Sequence, residues 1–104
     1  MSTETNTSVK KRIEPRFDLE PPDKYQVVFM NDNVTSMEFV MAVLAEIFGY
    51  DPEAAHTLTM KIHEENSAVV AVLSYEIAEQ KAVETTVLAR NNNFPLDVKI
   101  RPDA

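Results

Sequence analysis

The sequence predicts an α+β domain, a two-layer sandwich in which a three-stranded antiparallel sheet packs against three helices in the order β-α-α-β-α-β. Three observations lead to this prediction. The 104 residues suffice for one compact domain. Three segments have the composition or alternation of strands, and three longer ones have helical periodicity with capping residues. The chain has no cysteine, so its stability depends on an apolar core.

Residues 1–22 are predicted to form a flexible N-terminal extension, and residues 23–104 the folded core domain. Large apolar side chains are sparse in the extension and follow no sustained period. Such a segment cannot bury enough surface to offset the entropy lost on ordering. The pattern changes directly after Pro21-Pro22.

The first strand is predicted over Tyr25–Met30, which is rich in β-branched and aromatic residues. Three polar residues, 31–33, follow it and favour a turn. Thr35 or Ser36 then begins the first helix. Thr35 and Glu38 have the spacing of a capping box.

The first helix is predicted to run to about Phe48, because Gly49, the only glycine, suits the left-handed position that follows a helix. Asp51 and Pro52 have the residue types of an N-cap and a first helical position. They open a second helix that continues to about His63.

Residues Ala68–Leu73 are apolar at both odd and even positions, which indicates a central strand. A third helix is predicted from about Tyr75 to Arg90, where three asparagines end it and Pro95 prevents its return. Residues 96–101 alternate strictly between apolar and polar, as a half-exposed final strand does.

The charge is uneven along the chain. Residues 1–20 are neutral, so the remaining 84 carry the whole net charge of −7. An acidic domain repels nucleic acids and anionic lipid, but it attracts cations such as the ammonium group at the start of a peptide. Neither a membrane-spanning apolar stretch nor a secretory signal is evident, so we expect a soluble intracellular domain.

The first helix carries more apolar surface than one contact can bury. Two stripes follow different faces: Met37, Val40, Met41, Leu44 and Phe48 on one, and Phe39, Val43 and Ile47 on the other. Only one face can pack fully on the sheet, so the other lies under a neighbouring helix or lines a groove. The pattern alone leaves both interpretations open.

The second helix places Thr59, Ile62 and His63 on one face. A neutral imidazole beside an apolar wall can accept a hydrogen bond from a ligand. The alternative is that a cationic imidazole stabilises the helix C-terminus. The spacing alone favours the alternative.

Together these segments resemble the ClpS family, the adaptors of the ATP-dependent Clp protease. The resemblance spans residues 21 to about 101 and rests on residues 21–28, 31–40, 48–51, 61–63, 75–81 and 89–90. Its most specific part is the block Asn31–Val40 followed by the helix-ending His63.

The resemblance implies a monomeric, cytoplasmic, non-catalytic adaptor without a cofactor. Such adaptors bind substrates whose first residue is Phe, Leu, Tyr or Trp and deliver them to an AAA+ unfoldase, ClpA or ClpC. The positions that match the amine-binding set are Asn31, Asp32, Asn33 and His63. Those that match the hydrophobic side-chain pocket are Thr35, Met37, Val40, Thr59, Ile62 and Leu96.

Two positions depart from the family pattern. Asn33 stands where a second aspartate is usual, and an amide contributes no charge toward an ammonium group. We therefore expect weaker binding or a greater share carried by Asp32. Thr59 stands where many members have a methionine that restricts the pocket mouth, so the usual exclusion of N-terminal Ile and Val is in question.

Glu76 and Lys81 match positions that contact the N-terminal domain of the unfoldase, although their i, i+5 spacing also suits a solvated helix surface. Residues 1–22 resemble the family's N-terminal extension, which the unfoldase engages during delivery.

Two other functional classes are alternatives. An enzyme is disfavoured by the lack of cysteine, of a Gly-rich phosphate loop and of a nucleophile-elbow serine. His56 and His63 are two helical turns apart, too far to clasp one metal ion easily. The remaining alternative is a generic protein-interaction module, because the element order is similar to that of the ribosomal stalk protein's C-terminal domain.

Overall fold

The computed structural model describes residues 23–104, so the predicted N-terminal extension lies outside the described residues. The elements are β1 (Tyr25–Met30), α1 (Met37–Glu46), α2 (Pro52–Glu65), β2 (Ser67–Leu73), α3 (Tyr75–Asn91) and β3 (Asp97–Pro102). This order and the α+β class confirm the prediction. Within the described part of the chain, none of the helices has the length and apolarity needed to cross a membrane.

The sheet has the strand order β2-β1-β3, with both pairs antiparallel. The prediction that the second strand is central was therefore wrong, since β2 lies at an edge. Val27 pairs with Ala71 and Val28 with Val69, which leaves Val70 as the extra residue of a β-bulge. On one side of the bulge the even-numbered residues of β2 face the core, and on the other side the odd-numbered residues do. This explains why β2 has apolar residues at both odd and even positions although it is not a central strand.

The hydrophobic core lies between the sheet and the helices, with Phe29, Leu44 and Leu96 among its largest fully buried side chains. From the two predicted stripes of α1, the core takes Val40, Val43 and Leu44. Phe39 instead packs against Phe94 before β3, with ring centroids 5.0 Å apart. The apolar excess of α1 is thus partly covered by the loop that precedes β3.

Side-chain caps fix where α1 and α2 begin. Of the two helix starts that the sequence allows, Thr35 and Ser36, the structure has Ser36, which caps α1 and accepts a hydrogen bond of 3.1 Å from the amide of Phe39. The capping box suggested by the spacing of Thr35 does not form, because the hydroxyl of Thr35 donates to Asp32. Asp51 caps α2 as predicted, with a proline directly after it. Gly49 has the predicted left-handed backbone, with φ at +79°.

Candidate binding site

A cavity of ≈ 250 Å³ opens between α1 and α2, beside the end of β1. It brings together nine of the ten ligand-site residues that the sequence predicted. They are Asn31, Asp32, Asn33, Thr35, Met37, Val40, Thr59, Ile62 and His63.

The loop between β1 and α1 is held by the carboxylate of Asp32. One oxygen, Oδ1, accepts hydrogen bonds from the amides of Val34 (2.8 Å) and Thr35 (2.7 Å). The other, Oδ2, accepts one from the Thr35 hydroxyl (2.8 Å). Burial raises the pKa of Asp32, but these bonds and the charge of Arg90 outweigh it and hold that pKa below its ordinary value of 3.8. The loop therefore carries a fixed negative charge at the mouth of the cavity.

A single backbone hydrogen bond ties the end of β1 to the end of α2. The amide of Asn31 donates to the carbonyl of Asn66 over 2.9 Å. Asn66 follows α2 with a left-handed backbone, φ 72°, which turns the chain back toward the sheet. Since His63 lies in the last turn of α2, this bond brings it to the same rim of the cavity as Asn31. No motif in the sequence indicates this bond to Asn66.

The rim of the cavity is polar. Asn31 is half-buried, and Asn33 and His63 are exposed. Within residues 23–104, none of these three side chains makes a hydrogen bond to another side chain or to the backbone. Two amide carbonyls and an imidazole nitrogen can thus accept hydrogen bonds from a ligand, next to the charge of Asp32.

The interior of the cavity is buried and mostly apolar. Val40, Thr59 and Ile62 are 6%, 3% and 3% exposed, and Met37 is half-buried near them. Val40 and Ile62 also belong to the hydrophobic core. The wall that would contact a ligand side chain is therefore part of the hydrophobic core.

The structure does not bring the tenth predicted residue, Leu96, to the cavity. Its side chain is 1% exposed and packs in the hydrophobic core, directly before β3. Arg90 holds this segment, because its Nη1 donates to the carbonyls of Phe94 and Leu96, each over 2.9 Å. The positive charge of Arg90 also helps to lower the pKa of Asp32, an interaction that no sequence pattern indicates.

Glu76 and Lys81 lie on α3, away from the cavity lining. Glu76 is exposed. Lys81 is half-buried, and its Nζ donates to the carbonyl of Ile47 over 2.7 Å and lies 5.7 Å from the ring centre of Phe48. This contact joins α3 to the C-terminal end of α1, where a positive charge is favoured by the helix dipole.

A larger hollow of ≈ 480 Å³ lies beside α2, more open to solvent than the cavity. It is lined by Tyr50, Asp51, Glu53, Ala54, Thr57, Leu58, Lys61 and Val69. The smaller cavity fits a binding site better, because it combines a buried apolar interior with a few convergent polar groups. Among residues 23–104, no cluster of three or more histidine, aspartate or glutamate side chains could hold a metal ion.

The comparisons with known proteins agree with one another. The family model for the ATP-dependent Clp protease adaptor protein ClpS matches residues 20–99. Two adapter proteins of this name are similar to this chain. The one from Treponema denticola is 43% identical over 76% of this chain and 78% of the relative. The one from Pectobacterium carotovorum is 45% identical over 75% of this chain and 74% of the relative.

A solved structure of Agrobacterium tumefaciens ClpS2 bound to L-phenylalaninamide also resembles this fold. It has a TM-score of 0.76 and 38% identity, over 79% of this chain and 99% of that one. The residues that line the cavity all fall within the segment that the family model matches. The chain belongs to the ClpS family of ATP-dependent Clp protease adaptor proteins.

Proposed function

We propose that this adaptor binds the first residue of a substrate protein in the cavity between α1 and α2 and delivers that substrate to a Clp unfoldase. The observation that carries the proposal is the joining of a polar rim to a buried apolar interior in one cavity. L-Phenylalaninamide, bound by the A. tumefaciens relative, has the two groups that such a cavity suits, a free amine and an apolar ring.

The rim would bind the α-ammonium group. This group has three N–H donors and one positive charge, so it needs several acceptors when it leaves water. Asn31, Asn33 and His63 supply acceptors, and Asp32 supplies the charge. Since the Asp32 carboxylate already accepts three hydrogen bonds, its main contribution is electrostatic, together with holding the loop.

The interior would bind the first side chain, with Phe, Leu, Tyr and Trp as the destabilising residues expected. A dry cavity of about 150 Å³ in another protein is enough to bind benzene, so ≈ 250 Å³ accommodates an aromatic side chain. Burying such a side chain contributes about 1.5–3 kcal/mol. An apolar first residue therefore supplies much of the affinity.

Thr59 would widen the range of first residues. It is shorter than the methionine usual in the family, and it lines the cavity. We expect a peptide that begins with Ile to bind the wild-type chain more tightly than the Thr59→Met variant. Equal rejection of this peptide by both proteins would contradict the widening.

Delivery would use a different surface. Glu76 and Lys81 on α3 are the proposed contact with the N-terminal domain of ClpA or ClpC, and residues 1–22 the segment that the unfoldase engages. A chain truncated to begin at Pro21 should keep peptide binding and lose delivery. Loss of both would refute this division. We further propose that the adaptor is a cytoplasmic monomer that catalyses no reaction and binds neither nucleic acid nor a membrane.

Fluorescence anisotropy with a labelled peptide that begins with Phe tests the binding proposal. The free peptide should bind saturably, and N-acetylation should abolish binding, because it removes the charge and two of the three donors. Equal affinity for the free and the acetylated peptide would favour a generic interaction module instead.

A further inference from the structure

One edge of the sheet lies open beside an apolar groove. Within residues 23–104, β3 pairs with β1 alone and is therefore an edge strand. A groove of ≈ 320 Å³ runs between β3 and α3, and its apolar lining includes Val98 and Ile100 of β3 and Val83 and Val87 of α3. Val83 and Val87 are 55% and 54% exposed. The described residues thus leave this apolar surface uncovered.

The outer side of β3 also has backbone groups without a partner strand. The amide of Asp103, just past β3, donates to the carbonyl of Lys24 over 3.1 Å. Because amide direction alternates along a strand, the amide of Lys99 faces β1 as well, and those of Val98 and Ile100 point outward. An open edge of this kind is a template for pairing with another strand.

A segment of the same chain has the pattern of such a strand. Residues 13–19, which lie outside the described residues, alternate strictly: Ile13, Pro15, Phe17 and Leu19 are apolar, and the residues between them are charged. Alone, so short a segment cannot offset the entropy lost on ordering. Against the groove, its apolar side can be buried on a surface that the fold has already formed.

The start of β1 determines the direction in which this segment can lie. Since Lys24 is beside Asp103, the residues before it enter at the C-terminal end of β3. A segment that continues along the edge from there is parallel to β3. With Asp18 beside Lys99, Asp18 and Lys24 are about 16 Å apart, which is two strand spacings across and four residues along. The connecting chain reaches up to about 20 Å, so it is long enough.

Charge complementarity selects one register. The exposed residues of β3 alternate with Val98 and Ile100 and therefore lie on the face away from the groove. In one parallel register every charged residue of the segment lies beside an opposite charge: Arg16 beside Asp97, Asp18 beside Lys99 and Glu20 beside Arg101. A shift of two residues in either direction brings like charges together, which is unfavourable. Lys99 already contacts Asp97 over 3.2 Å, but both side chains remain more than half exposed and can gain a second partner.

The same register suits Pro15 and Phe17. It directs the backbone groups of the even-numbered residues of the segment toward β3 and those of the odd-numbered residues toward solvent. Proline has no amide hydrogen and is tolerated on the open side of an edge strand. The side chain of Phe17 lies beside Val98, on the side of the groove.

We infer that residues 13–19 form an additional strand on the open edge of β3 and bury their apolar side in the groove against α3. This surface is separate from the cavity between α1 and α2. The inference does not depend on the proposed function, because it concerns a contact within the chain. Under the proposed function, the unfoldase must detach this strand when it engages residues 1–22.

Amide hydrogen exchange, measured by NMR on the ¹⁵N-labelled full-length chain, tests the inference. The amides of Val98 and Ile100 should exchange about tenfold more slowly in the wild type than in Asp18→Lys, which brings like charges together at Lys99. A tenfold difference corresponds to a strand that is seated about nine-tenths of the time. The control amide is that of Val72, which points outward from the opposite edge strand β2 and should exchange equally in both proteins.

Two further full-length variants test the register. The double variant Asp18→Lys/Lys99→Asp exchanges the two charges and should restore slow exchange at Val98 and Ile100. Glu4→Lys makes the same charge change outside residues 13–19 and should leave exchange as slow as in the wild type.

Equal exchange at Val98 and Ile100 in the wild type and Asp18→Lys would overturn the inference. The proposed function would stand, since it is tested separately by binding of the Phe peptide. Slow exchange that survives Asp18→Lys and increases with protein concentration would also overturn it, because the edge would then pair with a second copy. So would an equal slowing at Val72, which would indicate a general effect on the fold.

Discussion

The two ends of the cavity are built in different ways. The rim consists of exposed or half-buried polar side chains, Asn31, Asn33 and His63, on a loop and a helix end. The interior consists of Val40 and Ile62, which are buried and also belong to the hydrophobic core. A ligand that spans the cavity would contact side chains with little structural role at one end and core side chains at the other.

Because of this difference, substitutions at the two ends should affect ligand affinity and folding stability differently. Substitutions at the rim should weaken ligand binding while leaving the fold intact, whereas substitutions in the interior should weaken both. The rim can therefore be changed at little structural cost.

Ile62→Ala should have the largest effect. Removal of this buried side chain leaves a void in the core, and comparable substitutions cost about 2–5 kcal/mol of unfolding free energy. Urea denaturation measures this loss. The control is Ile77→Ala on α3, where the side chain is 42% exposed and the cost should be much smaller. Similar losses for the two variants would contradict the placement of the cavity wall in the core.

His63→Ala should lower affinity without lowering stability. A hydrogen bond to a charged group contributes about 1.5–3 kcal/mol, so affinity for a free-amine Phe peptide should fall at least about tenfold. Unfolding free energy should change by less than about 0.5 kcal/mol, since the side chain is exposed. The matched control is His56→Ala, an exposed histidine on the same helix that does not line the cavity. An equal loss of affinity in His63→Ala and His56→Ala would show that His63 does not belong to the binding site.

The helix caps could be predicted because their signals are local, whereas the lining residues were predicted only from the resemblance to the ClpS family. Asp51 with its proline, Gly49, and the loop that begins at Asn31 all lie within a few residues of what they organise. The assignment of Ser36 rather than Thr35 as the cap could not be predicted from spacing, because the hydroxyl of Thr35 binds Asp32 instead.

The unpredicted features depend on contacts between residues far apart in the sequence. The bond from Asn31 to Asn66 requires β1 and α2 to be in place, and the bulge at Val70 exists only in the paired sheet. The burial of Leu96 and the contact of Lys81 with the end of α1 are likewise tertiary. No periodicity within a single element encodes such contacts.

Asp32→Asn should destabilise the rim loop by about 1 kcal/mol at neutral pH, because charge-assisted hydrogen bonds are about twice as strong as neutral ones. The pKa of Asp32 is lowered in the fold, so its contribution is full above its ordinary value of 3.8 and is lost as pH falls through the folded-state pKa. The stability gap between wild type and variant should therefore narrow on acidification. Urea denaturation at neutral pH and near pH 3 measures the gap, and a gap that widens would contradict the assignment.

Asn33→Asp should have the smallest effect and the opposite sign. A second carboxylate at the exposed rim adds attraction for an ammonium group, which should tighten binding of a free-amine Phe peptide by about two- to fivefold. Added salt should reduce this gain. Gln80→Glu, which makes the same charge change at an exposed position on α3, serves as the control. An equal gain from Gln80→Glu would mean that net charge, rather than the rim, is responsible.

The most direct test of the central claim is an NMR titration of the ¹⁵N-labelled protein with the free-amine Phe peptide. We predict that the largest amide shifts fall in residues 31–35 and 59–63, and that the acetylated peptide leaves them unchanged. Shifts centred instead on the larger hollow at Tyr50, Leu58 and Val69 would contradict the claim that this adaptor binds the first residue of its substrates between α1 and α2.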